Sequence, residues 1–131
     1  MSKYADLISD VEGVFGTTAW TTTGINTFPS NFIVPSTIDE FVKIELVPLG
    51  PDQDYARFGL DGIVIIQVYI TANQGIRRLM EIADLLDGLL QNVSLNNGTK
   101  TESSSFQVLG QDKDNPNLYR GDYSVNFKFY N

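Results

Sequence analysis

The sequence predicts an α+β fold, a mainly antiparallel β-sheet with an N-terminal helix and one long helix packed on one face. Three observations predict it. Two segments carry apolar residues at helical spacing, and the others alternate apolar with polar residues as half-buried strands do. The order is helix, extended arm, strand, strand, helix, strand, strand, which sets two hairpins on either side of the long helix. The chain has 131 residues, the size of one domain, and the sequence shows neither an internal repeat nor a linker. A single domain over residues 1–131 is expected.

Residues 3–15 are expected to be helical. Tyr4, Leu7, Ile8, Val11 and Val14 form one stripe, Asp6 sits in the first turn where the helix dipole favours an anion, and Ser2 is the candidate cap. Gly13 and Gly16 mark its end. Residues 16–38 are rich in Thr, Ser, Gly, Asn and Pro and have no helical period. Pro29 and Pro35 limit this stretch to an edge strand or an extended arm. Residues 40–47 alternate, with Val42, Ile44 and Leu46 on one side of a strand and Lys43 and Glu45 on the other. After a turn-forming loop, a longer strand runs from about Arg57 to Thr71. Leu60, Gly62, Val64, Ile66, Val68 and Ile70 share one of its faces; Asp61, Ile63, Ile65, Gln67 and Tyr69 share the other. That second face is too apolar for bare solvent and is expected to be covered, for instance by a neighbouring subunit.

Residues 74–92 carry the strongest helical pattern, with Ile76, Leu79, Met80, Ala83, Leu86 and Leu90 in one stripe, Ile82 and Leu89 widening it and Asn92 closing it. A short strand around Phe106–Leu109 and a polar loop over 111–117 follow. In the closing strand Tyr119, Tyr123, Val125, Phe127 and Phe129 face one way. Arg120, Asp122, Ser124, Asn126 and Lys128 face the other.

Composition excludes several classes of function. Lys and Arg total 9 against 16 Asp and Glu, a net charge of -7. A sequence-independent grip on nucleic acid or an anionic membrane needs clustered cations, so neither partner is expected. The amino terminus carries acids and no long apolar run, unlike a signal peptide. The longest apolar run, Ile63–Ile66, is too short for a membrane span. Without Cys or His, the chain has no disulfide framework, no His- or Cys-ligated metal and no Ser-His or Cys-His catalysis.

The remaining motifs are ordinary. Arg120-Gly121-Asp122 spells an adhesion tripeptide, but it falls inside an alternating strand and not at a loop tip. Asp52-x-Asp54 and Asp112-x-Asp114-x-x-Asn117 lack the further acids, the sixth-position Gly and the distal Glu of a calcium loop. Glu81, Asp84 and Asp87 read as the solvated side of the long helix, with Arg77 and Arg78 paired to Glu81 by helical spacing. No phosphate-binding glycine loop occurs. Neither an enzyme nor a bound metal or cofactor is expected. Trp20, Phe28 and Phe32 in the 16–38 arm have two readings: they cap the domain's own core, or they anchor a contact with another molecule.

The whole order resembles the tail terminator proteins of long-tailed phages. The resemblance rests on the short first helix, the segment Thr27-Phe28-Pro29-Ser30-Asn31-Phe32, and the strand with Phe41-Val42. It extends to the long strand ending Tyr69-Ile70-Thr71, the Gly75-Ile76-Arg77-Arg78 helix and the closing Tyr119-Arg120-Gly121-Asp122-Tyr123-Ser124-Val125. It implies a hexameric ring on the head-proximal end of the tail tube, which stops tube polymerisation and forms the head-tail joining surface. The implied partners are further copies of the chain, the tail tube protein and a head-completion connector protein, with genomic DNA only passing through the channel. The implied location is the virion, assembled in host cytoplasm. Under this resemblance Trp20, Phe28, Phe32 and Tyr69 are the candidate subunit contacts. Asp52, Asp54, Tyr55, Asp112 and Asp114 are the candidate tube or connector contacts. Two alternatives are another tail or neck component, such as a connector adaptor or tube subunit, and a small monomeric protein-binding module.

Overall fold

A computed structural model describes residues 3–29, 32–35, 37–51 and 60–129. Its elements are α1 (Lys3–Val14), α2 (Thr18–Thr21), β1 (Asn26–Pro29), β2 (Phe41–Pro51), β3 (Leu60–Thr71), α3 (Arg77–Leu90), β4 (Thr99–Gln111) and β5 (Leu118–Phe129). The strands form one sheet in the order β1-β2-β3-β5-β4. β1 lies parallel to β2, and the other neighbours are antiparallel. The fold is the expected α+β arrangement.

β3 and β5 form the spine of the sheet, paired without a break from Leu60 opposite Phe129 to Thr71 opposite Leu118. Their inward residues are mostly apolar: Val64, Ile66, Val68 and Ile70 from β3, Val125, Phe127 and Phe129 from β5, with Tyr123 beside them. Leu7 and Val11 of α1 and Leu79, Ile82, Leu86 and Leu90 of α3 pack on this same face and complete the core. One layer of helices therefore covers one face of the sheet.

Gly62 is a point of close approach within the sheet itself. A Cβ there would lie 2.3 Å from the Val47 carbonyl oxygen and 2.8 Å from the Phe127 ring. Only glycine lets the Phe127 ring cross the strand. Gly62→Ala is expected to cost about 1–3 kcal/mol by overpacking, measurable as a lower urea midpoint. A midpoint equal to wild type would show that the ring has room to move.

The structure differs from the sequence reading in several places. α3 starts at Arg77 and not at residue 74, because Asn73 and Gly75 take φ of 69° and 74°, left-handed values that no helical turn accommodates. Ile76 and Met80, expected in the buried stripe, are 44% and 41% exposed. The buried stripe runs through Leu79, Ile82, Ala83, Leu86 and Leu90, all of them expected there. β4 is 13 residues long, where only a short strand is expected. Its Thr- and Ser-rich first half reads as loop, yet an edge strand supports polar side chains on both faces. Register shifts at Thr101/Ser104 and Val108/Gly110 bend it along β5. α2 is a single turn inside the arm, and β1 is the arm's edge strand. Ser2 and residues 57–59 lie outside the described residues.

Asp10, on α1, is 5% exposed. Its carboxylate accepts hydrogen bonds from the Asn97 amide (2.8 Å), the Thr99 amide (3.2 Å) and the Thr99 hydroxyl (2.7 Å). It ties the first helix to the turn that launches β4.

Candidate interaction surface

Among the described residues, no helix lies on the second face of the sheet. Strand register places Glu45, Ile65, Ser124 and Ser105 in one row across β2, β3, β5 and β4. Lys43, Gln67, Asp122 and Gln107 form the next row towards Phe41. Val47 lies opposite Ile63 on the other side of the Ile65 row. Val47, Ile63 and Ile65 are half-buried and form an apolar strip bordered by charge. Polar contacts hold the border in place: across strands Gln67 Nε2 donates to Glu45 Oε2 at 2.8 Å, and along β5 Arg120 Nε donates to Asp122 Oδ1 at 3.1 Å.

At one end of this face the arm folds back over the sheet. Phe41 stacks on Tyr69 with ring centroids 4.6 Å apart, and Phe28 meets Phe41 edge-on at 5.8 Å. Val34 and Ile38 pack on the same group, with Leu118 beneath. The Arg120 guanidinium lies 5.6 Å from the Tyr69 ring centre, within cation–π reach. Burial is the largest influence on both titratable groups. It raises the Tyr69 phenol above its ordinary value. It opposes the charge of Arg120, but the Asp122 hydrogen bond and nearby negative charge outweigh it and hold that guanidinium above its usual value. A cavity of about 400 Å³ opens between the arm and the β4–β5 loop, with Phe32, Tyr69 and Leu118 on its apolar walls and Lys43, Asp112 and Asp114 among its charged lining.

A second polar group sits between α3 and β4. Asp87, expected on the solvated side of the helix, is half-buried. It accepts from the Ser104 hydroxyl at 2.5 Å and the Tyr123 hydroxyl at 2.9 Å. Burial, foremost, and the Asp87 hydrogen bond and charge push the Tyr123 phenol far above its ordinary value, while the Ser104 hydrogen bond pulls it partly back. A raised value in the folded state means that the unfolded chain loses the proton first. The stabilisation is whole below about pH 10, the ordinary phenol value, and falls as pH rises beyond it. Tyr123→Phe is therefore expected to lose less stability than wild type between pH 7 and 10.5 in urea titrations. Equal losses would remove Tyr123 from the account.

The predicted contact residues divide. Trp20 is 1% exposed and Tyr69 8%. Trp20 belongs to the chain's own core, and Tyr69 lies beneath the arm, so neither offers a free side chain to a neighbour. The core reading holds for Trp20 because α2 turns its indole inward, edge-on to Phe15 at 5.1 Å, with Nε1 donating to Thr27 Oγ1 at 2.7 Å. Phe28 is half-buried, and Phe32 is 54% exposed. Asp112 and Asp114 stand together in the β4–β5 loop, where Asp112 accepts from the Asn115 amide and shapes the turn. Asp52, Asp54 and Tyr55 lie outside the described residues. Arg78, expected to pair only with Glu81, also donates through Nε to Glu40 at 2.6 Å and clamps α3 to the start of β2. Nothing in the local sequence marks this long-range pair. Arg120 and Asp122 pair with each other in mid-strand, as the alternating pattern implies, and the intervening Gly121 faces Phe106 on the helix side.

No protein-family model and no curated protein matches the chain. Solved structures do. One, described only by a sequence identifier, superposes with a TM-score of 0.62 at 15% identity, covering 92% of this chain and 86% of the other. Another is a chain in the virion of a native gene transfer agent particle, with a TM-score of 0.60 at 14% identity over 92% of each chain. The likeness is one of fold, and it extends over nearly the whole of this chain.

Proposed function

We propose that the chain is a structural protein of a phage-like virion and acts there as a tail terminator. Six copies form a ring on the head-proximal end of the tail tube. The ring stops tube polymerisation and offers the joining surface for a head connector protein, while DNA passes through its channel. The observation that carries this reading is the near-complete fold likeness to a chain of the gene transfer agent virion. The surface chemistry supports it. Among the described residues one sheet face carries no helix, and it combines an apolar strip with a charged border, as protein contact surfaces do. The work is done by binding, without a chemical step: a ring that occupies the growing end and lacks the tube's own docking face halts growth.

Deleting the coding gene from the particle that carries it tests the reading. Electron micrographs are expected to show tails of uncontrolled length that are not joined to heads. Tails of normal length and variation would overturn the terminator role. Within that result, detached heads would point to a connector adaptor, and absence of tails to a tube subunit.

A further inference from the structure

We propose that the turn between α3 and β4 is a deamidation site, where Asn97 converts to aspartate and isoaspartate and so releases the clasp that ties α1 to β4. The inference is independent of the tail reading. It follows from one turn and the carboxylate that grips it.

Asn97-Gly98 is the one Asn-Gly pair in the sequence, and it closes a tight hairpin turn. Ser94 bridges Lys100, and the Leu95 amide donates to the Thr99 carbonyl at 2.7 Å. Gly98 takes φ of 111°, a conformation that residues with a Cβ rarely adopt. Asn97 is exposed. The Gly98 amide donates to the Leu95 carbonyl at 3.4 Å, longer than an ordinary amide hydrogen bond. With no Cβ to shield it, this nitrogen is open to the Asn97 side chain. A cavity of about 280 Å³ between α1 and the turn, with Ser9, Asp10, Gly13 and Asn97 in its lining, admits water beside the site.

The reaction needs only water. The Gly98 nitrogen loses its proton and bonds to Asn97 Cγ. The Cγ–Nδ2 bond breaks, and ammonia leaves with that proton. Water then opens the five-membered imide. Attack at Cγ gives aspartate. Attack at the α-carbonyl gives isoaspartate, whose main chain runs through Cβ and Cγ.

Asp10 straddles the reacting bond. Its carboxylate, on a residue 5% exposed, accepts from the Asn97 amide on one side and from the Thr99 amide and hydroxyl on the other. Isoaspartate adds one carbon to the main chain between these donors, about 1.5 Å of path, so one carboxylate no longer meets all three. It also leaves a free carboxylate on the Asn97 Cα, the atom that bears the amide nitrogen 2.8 Å from Asp10 Oδ1. Like charges so placed repel. Aspartate disturbs the clasp less, because the main chain is unchanged and the new charge sits further out on an exposed side chain.

Incubation of the purified full chain in warm, mildly alkaline buffer tests the proposal. Peptide mapping with an isoaspartate-specific methyltransferase follows position 97, where isoaspartate is expected to accumulate ahead of every other Asn. The modified chain is separated by anion exchange. Its unfolding equilibrium constant in urea is expected to be about tenfold larger than that of untreated chain, the scale of one buried donor losing its partner. Hydrogen exchange is expected to quicken in α1 and at the start of β4 more than in β3. Asn97→Gln would need a six-membered imide, so it is expected to keep its starting stability and exchange through the same incubation. Asn97→Asp is expected to fall between wild type and the isoaspartyl chain. No isoaspartate at 97 in the folded chain, when the urea-unfolded chain forms it, overturns the site. Accumulation with unchanged stability and unchanged α1 exchange overturns the release of the clasp. Equal losses in incubated Asn97→Gln overturn both, since the damage then lies elsewhere.

Discussion

Asp10→Ala is expected to lower folding stability by about 3 kcal/mol, the scale of removing charge-assisted hydrogen bonds from a buried site. The carboxylate gathers the Asn97 amide and both the amide and hydroxyl of Thr99, groups nearly ninety residues away in the chain. Alanine leaves the Asn97 and Thr99 N–H groups without that acceptor, and Thr99 is buried, so its lost partner carries the larger desolvation cost. Asp10→Asn keeps one acceptor oxygen but turns a donor towards other donors, so it is expected to fall between alanine and wild type. Urea unfolding at neutral pH checks the order. A loss under about 0.5 kcal/mol, the range of ordinary surface changes, would show that the turn before β4 holds without this tie.

Trp20→Ala is expected to cost about 4 kcal/mol, the range measured for truncating large buried aromatics. Phe32→Ala, twelve positions further along the same arm, is expected to stay within about 0.5 kcal/mol. Trp20 fills the space between Phe15 and the sheet, and its indole N–H is satisfied by Thr27. Phe32 touches Phe28 at 6.2 Å and is otherwise half in solvent. Equilibrium unfolding of the two variants side by side separates core from contact surface. Comparable losses would mean that Phe32 belongs to the folding core and is not held for a partner.

This contrast shows where the sequence was legible. Period-two alternation located the inward faces of β2, β3 and β5 residue by residue, because a sheet covered on one side by helices demands it. The stripe of α3 was legible apart from Ile76 and Met80, which border it. Half of β4 was not legible. Thr99, Thr101 and the serines of an edge strand look like loop, and their pairing to β5 is a long-range choice that local composition does not encode. Trp20 and Phe32 sit in one irregular, Thr- and Pro-rich segment with no period, so nothing local says which turns inward. A one-turn helix decides it. Asp10, Asp87 and Glu40 were passed over or read as ordinary solvated acids for the same reason. Their partners Thr99, Tyr123 and Arg78 come from distant parts of the chain, and only the assembled fold brings them together.

The uncovered sheet face follows the same logic. The apolar side chains of Ile63 and Ile65 on β3's second face marked it as a surface awaiting cover. The structure divides that face in two: the arm covers the Tyr69 end, and among the described residues no helix covers the Ile63–Ile65 end. The account assigns that end to a neighbouring copy.

The native mass of the purified chain by light scattering, at low and high protein concentration, tests that assignment most directly. The account predicts assembly that increases with concentration towards six times the 14.6 kDa chain. A mass fixed at that of one chain across the whole range would contradict it.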